Sequence, residues 1–130
     1  DADLVAALGA LAGRPGVEAA LPAGAVLMPS RRVEETVAAV TSCLDNVERH
    51  VGPGAPAWVF LQDLGEEIEV SVRDEGDGIP EGRLESATAD GRMGVTGSIR
   101  GRIEELGGEA RLRTGPHGTE WELVVPKEQR

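Results

Sequence analysis

The chain has 130 residues, 40% of them apolar and 28% charged, which is the balance of one soluble globular domain with a core of useful size. A formal net charge of −10 repels phosphate backbones and anionic lipids, which sets aside nucleic-acid and membrane-surface partners. No apolar run approaches the roughly 20 residues of a membrane span, and no signal-peptide pattern opens the chain, so a cytoplasmic setting is expected. The single cysteine, Cys43, excludes an internal disulfide and suits a reducing compartment, and the two histidines lie far from it, so no zinc site is suggested. The first residue is Asp1 rather than Met, and a piece of a longer protein is therefore expected.

Residues 1 to 13 read as a short helix with Leu4, Val5, Leu8 and Leu11 on one side, ended by Gly13, Pro15 and Gly16. We take residues 1–14 as an N-terminal linker helix and residues 15–130 as the domain proper. Val17 to Leu21 and Ala25 to Met28 suggest two short strands. Ser30 then has the character of an N-cap, and Glu34 and Glu35 suit the start of a helix dipole. Val33, Val37, Val40, Leu44, Val47 and Val51 follow at spacings of three and four, one apolar stripe at about 100° per residue. Glu35, Ser42, Asn46 and Arg49 gather opposite, so Asn46 is expected on a polar face. Gly52-Pro53-Gly54 stops this helix.

Ala57 to Leu64 and Glu67 to Arg73 predict a hairpin across Gly65-Glu66, with Trp58, Phe60, Ile68, Val70 and Val72 as core. The second strand runs into Asp74-Glu75-Gly76-Asp77-Gly78-Ile79-Pro80. An acid at a strand end, beside glycines that leave the backbone open, is placed to accept a hydrogen bond from a ligand's amino group. Alone, such a turn is weak evidence of a site. Residues 80 to 95 lack periodicity, and a loop of that length in a compact domain is usually functional or mobile. Thr96 to Leu106 is helical again, with Ile99, Ile103 and Leu106 apolar and Gly107-Gly108 as the stop. Glu109 to Arg113 and Thr119 to Val125 alternate as a last hairpin, with Arg111 and Arg113 facing Glu120 and Glu122. The sum is an α+β domain, an antiparallel-rich sheet with helices packed on one face.

Four features stand in a set order: Asn46 on its helix, the Asp74-x-Gly76-x-Gly78 turn, Gly94-Val95-Thr96-Gly97 after the long loop, and Gly118-Thr119 opening a late strand. In that order they resemble the ATP-binding catalytic domain of two-component sensor histidine kinases, whose fold is shared with Hsp90, DNA gyrase and MutL. Leu44-Asp45-Asn46-Val47-Glu48-Arg49-His50 is similar to the N box, Asp74 to Gly78 to the first glycine box, and Gly91 to Gly97 to the second. Ser98 to Gly108 is similar to the helix found there in kinases paired with LuxR-like response regulators. The resemblance spans about residues 15 to 126. It implies the Bergerat ATP-binding fold, a two-layer sandwich of a mixed, mostly antiparallel sheet with helices on one face.

The resemblance also implies roles. Asp74 accepts the adenine amino proton, and Gly76, Gly78 and Ile79 let base and sugar lie against the chain. Asn46 offers a neutral oxygen to Mg²⁺, a hard ion that keeps several waters. Arg49 reaches a phosphate oxygen and His50 lies nearby. Gly94, Val95 and Gly97 present backbone N–H groups at a helix N-terminus, which favours anions. Thr119 bonds near the adenine, and residues 80 to 95 form a lid. Without the other boxes, the favoured reading of Asn46 is a solvated helix residue; Arg49 and His50 have the rival reading of surface groups near a helix end, which for His50 weighs evenly.

The implied partners are ATP, a phosphoacceptor helical hairpin elsewhere in the parent kinase, and a downstream response regulator, with no nucleic acid and no direct membrane contact. Position 42, four residues before Asn46, holds Glu or Asn in many members and Ser here, and a serine cannot act as general base for water. His50 and His117 do not sit on a phosphoacceptor hairpin, so the chain is expected to bind ATP without phosphorylating itself. An anti-sigma-factor serine kinase of the same fold, or a degenerate docking module that no longer binds nucleotide, are the alternative readings.

Overall fold

A computed structural model describes residues 1–76 and 95–128, with only the backbone described for residues 95–98. Strand β1 (Ala2–Asp3) leads into helix α1 (Leu4–Gly9), a 3-10 turn (Ala10–Gly13), β2 (Val17–Ala20), β3 (Leu27–Met28) and the long helix α2 (Ser30–His50). Strands β4 (Ala57–Asp63) and β5 (Glu67–Asp74), helix α3 (Val95–Glu105), and strands β6 (Glu109–Gly115) and β7 (Gly118–Pro126) complete the order. Among the described residues, no helix is long and apolar enough to cross a membrane.

Five strands form one sheet in the order β2-β4-β5-β7-β6, and β1 pairs with β3 as a separate two-stranded ribbon. Strand β2 runs parallel to β4, and the other pairings in the large sheet are antiparallel. A parallel pair needs a crossover, which β3 and α2 supply between β2 and β4. The result is the mixed, mostly antiparallel sheet of a two-layer α+β domain.

Alternation decides which residues face the helices. Ile68, Val70 and Val72 of β5 register with Val125, Leu123 and Trp121 of β7, and all six are buried. On β4 the buried side chains are Ala57, Val59 and Leu61, while Trp58 is half-buried and Phe60 is 44% exposed. The expectation that Trp58 and Phe60 are core is thereby corrected. Strand β4 is apolar on both sides, so its own periodicity cannot choose a face. Its register with β5, Val59 opposite Val72 and Leu61 opposite Val70, chooses it.

Helix α2 also departs from its expected shape. Ser30 is its first helical residue, and Pro29 stands at the cap position with no side-chain hydrogen bond. The Pro29 carbonyl accepts from the Arg32 and Val33 amides instead, at 2.9 and 3.2 Å. The expected stripe of Val33, Val40, Leu44 and Val47 is buried, but so is a second stripe of Arg32, Thr36, Ala39, Cys43 and Asn46, and Val51 is exposed. Helix α3 packs along the earlier turns of this stripe and brings Ile99, Ile103 and Leu106 into the core. Burial holds the Cys43 thiol well above its usual range, so it is an inert packing group.

Helices α2 and α3 run antiparallel. Arg32, in the first turn of α2, donates to the Leu106 carbonyl just past the end of α3 at 2.6 Å and to the Pro126 carbonyl of β7 at 2.7 and 3.0 Å. One turn further, Glu35 pairs with Arg102 at 2.9 Å. Helix α1, expected as a linker, buries Leu4 and Leu8 fully in the same core, beside Val26 and Met28.

Candidate functional site

Strand parity carries Asp74 to the site. It shares the helix face of β5 with Ile68, Val70 and Val72, but it lies at the strand end and is 7% exposed. Its Oδ1 accepts from the Gly76 amide at 2.9 Å and from the Thr119 amide at 3.3 Å. With both of these bonds on one oxygen, the carboxylate is held in place, and Oδ2 takes part in neither.

Thr119 opens β7 on the same face, buried like Asp74, and its hydroxyl lies 3.0 Å from that of Thr114 across the β6–β7 hairpin. Gly118, just before it, has φ +134°, and a Cβ there would run into the Asp74 carbonyl. The strand ends therefore meet backbone to backbone, which brings Thr119 against Asp74. Gly118 was legible as part of the Gly118-Thr119 motif, but its structural task was not.

Gly76 ties this strand end to α2. A Cβ on Gly76 would overlap the Val51 side chain at the C-cap of α2 and sit 3.3 Å from the Asp74 Oδ1. The turn after Asp74 thus lies against the end of the helix that carries Asn46, Arg49 and His50. Asn46 is 8% exposed, and its amide oxygen is buried without a hydrogen-bond partner among the described residues. This corrects the expectation of an Asn46 presented on a polar face. Arg49 and His50 are exposed in the last turn of α2, on either side of the line through Asn46.

The third wall follows from helix arithmetic. From Arg102 back to Val95, α3 rises about 10 Å, whereas from Glu35 to Asn46, α2 rises about 16 Å. With Glu35 and Arg102 in contact, the α3 N-terminus falls about one turn short of Asn46. The positive end of its dipole thus lies toward the side of that asparagine. Val95 and Gly97 lie in this first turn. Gly78, Ile79 and Gly94, with the expected lid at residues 80 to 95, lie outside the described residues apart from Val95 itself.

An unpartnered buried amide oxygen costs stability unless something accepts its lone pairs. A hard divalent cation, or water bound to one, is the chemistry that fits it. Among the described residues no cluster of three or more His, Cys, Asp or Glu side chains is placed to hold a metal. A depression of about 340 Å³ borders the Asp74 end of the site, lined among others by Arg73, Arg113, His117 and Thr119.

A five-stranded mixed sheet backed by helices, with Asp74 buried at a strand end and Asn46 buried on the long helix, is an α+β domain of the Bergerat type. Residues 33–129 match the family described as histidine kinase-, DNA gyrase B- and HSP90-like ATPases, and the chain belongs to that family. Solved structures agree with the fold. The histidine kinase domain of the E. coli osmosensor EnvZ superposes with a TM-score of 0.71 at 20% identity, covering 98% of this chain and 88% of that one. The ATP-binding domain of PrrB from Mycobacterium tuberculosis gives 0.65 at 22% identity, covering 98% and 96%. The blue-light activated histidine kinase of Erythrobacter litoralis EL346 gives 0.68 at 22% identity over 98% of this chain, which spans only 40% of that kinase. At these identities the likeness is one of fold. No curated protein sequence matches the chain.

Proposed function

We propose that this chain is the ATP-binding catalytic domain of a sensor histidine kinase, which binds Mg²⁺-ATP and presents its γ-phosphoryl group to a histidine on a helical hairpin of the parent protein. A response regulator of the LuxR-like type is the downstream partner. The observation that carries the reading is the Asp74 carboxylate, held by the Gly76 and Thr119 amides at 2.9 and 3.3 Å with one oxygen left for a base amino group.

Asp74 takes the adenine amino proton as an acceptor that cannot donate. Asn46, whose amide oxygen has no partner among the described residues, would hold Mg²⁺, and the ion would supply charge neutralisation to the phosphates. The amides at the start of α3 and the guanidinium of Arg49 hold phosphate oxygens, and His50 borders the same end of the helix. In the transfer, an imidazole nitrogen of the acceptor forms a bond to the γ-phosphorus as the bond from phosphorus to the β–γ bridging oxygen breaks, and ADP leaves with that electron pair. The domain contributes positioning and charge neutralisation rather than a covalent step. Ser42 offers no base for water, which suits an enzyme whose nucleophile is a histidine. His50 ends α2 and His117 lies in the β6–β7 turn, so neither is on a hairpin of helices, and the chain alone is expected to bind ATP without labelling itself.

Calorimetric titration of ADP and a non-hydrolysable ATP analogue, with and without Mg²⁺, tests this on the wild type and on Asp74→Asn. We expect Mg²⁺-dependent binding by the wild type and its loss in the variant, with thermal unfolding of the free proteins nearly equal. A folded wild type that binds neither nucleotide would replace this reading with a docking module.

A further inference from the structure

Thr114 and Thr119 are direct partners across the β6–β7 hairpin. Alternation puts Thr114 on the side of β6 that carries Ala110 and Leu112, opposite Leu123 and Trp121 on the core face. Thr114, Thr119 and Asp74 thus form one row over β6, β7 and β5, at the end of the sheet where the site lies. Thr119 is buried and Thr114 is exposed, with the two hydroxyl oxygens 3.0 Å apart.

A hydroxyl has one proton, so in such a pair only one oxygen donates to the other. When Thr114 donates, the Thr119 oxygen is engaged as an acceptor and its own proton turns outward. Asp74, beside it, only accepts. The row then presents an acceptor and a donor side by side, the complement of a base edge with an amino group next to a bare ring nitrogen. A 6-aminopurine has that edge. A 6-oxopurine has the reverse, with a carbonyl toward the carboxylate and an N–H toward the hydroxyl.

We propose that Thr114 is a specificity-determining residue: it holds the Thr119 hydroxyl as an outward donor and so selects 6-aminopurine over 6-oxopurine nucleotides. Thr114 acts through Thr119 and is a positioning residue. The inference rests on the nucleotide reading above.

Competition calorimetry with ADP and IDP on the wild type, Thr114→Val and Thr114→Ser tests it. The wild type is expected to prefer ADP. Valine frees the Thr119 hydroxyl to turn and accept, so ADP binding should fall on the order of tenfold, the worth of one ordered hydrogen bond, while IDP stays level or improves. Serine, which keeps the hydroxyl, should restore the wild-type preference. If Thr114→Val melts well below the wild type, Thr114→Ala is measured in its place. An unchanged ratio of ADP to IDP affinity in the valine or alanine variant overturns the proposal, because a merely structural residue would weaken both nucleotides alike. A wild type that binds neither nucleotide fails at the earlier reading, and a wild type that binds both equally fails at this one.

Discussion

At the residue scale, position on an element and position in the molecule are separate facts, and Arg32 and Asn46 show it. Both lie on the second stripe of α2 and both are buried polar groups, at 6% and 8% exposure. Arg32 is satisfied, because its guanidinium serves the Leu106 and Pro126 carbonyls. Asn46 differs, because its oxygen has no partner among the described residues. A buried group whose hydrogen bonds are all made inside the protein acts as a strut. Arg32→Met should therefore leave two carbonyls unanswered and lower unfolding free energy by about 2–4 kcal/mol in urea titration. Arg32→Lys, which keeps one donor, should recover part of that. A loss below about 0.5 kcal/mol for Arg32→Met would show that water replaces the guanidinium freely, since that is the ordinary range of an exposed surface change.

At the scale of the element, the sheet has a dry face and a polar one. Arg111 registers with Glu122 and Arg113 with Glu120, as their alternation suggested, and Arg113 approaches Glu122 at 3.1 Å while Arg111 pairs with Glu109 at 3.1 Å. Glu69 is the strained member of this face. Partial burial, then its hydrogen bond to Glu122 and the like charge there, push its carboxyl above the usual range. The raised value belongs to the folded state, so the fold holds this proton more tightly than the unfolded chain does. The contribution is present below the ordinary glutamate range and is lost as pH rises through the raised value. Glu69→Gln should therefore raise the melting temperature by a few degrees near neutral pH, and the gain should shrink as the buffer is made acidic. An equal shift at every pH would mean that the Glu69 charge is not the cause.

For the molecule as a whole, α1 is the element whose standing matters most. Leu4 and Leu8 have no exposed surface and join the core that α2 and the sheet complete, and Asp3 caps α1 while also accepting from the Val26 amide at 3.0 Å. A tether would tolerate truncation of these side chains. A core helix would not, and Leu8→Ala should lower stability by about 2–5 kcal/mol in one cooperative transition. If unfolding is unchanged, or splits into two steps, residues 1–14 behave as a linker outside the domain.

The sequence by itself determined the local elements, because helix and strand periods are written in neighbouring residues. It also determined which face of β5 carries Asp74, because that strand alternates cleanly from Ile68 onward. It ordered the motifs whose family the comparisons bear out. Other features required the tertiary structure. Strand β4 is apolar on both faces, so only its pairing with β5 put Trp58 and Phe60 outside. The burial of Arg32 needed α3 laid along α2, with the Leu106 carbonyl brought from a distant segment of the chain. Thr114 needed the β6–β7 register to meet Thr119, and Gly118 needed the Asp74 carbonyl at its back to explain why a side chain is excluded. Short-range periodicity reports what a residue can face, and packing between distant segments decides what it does face.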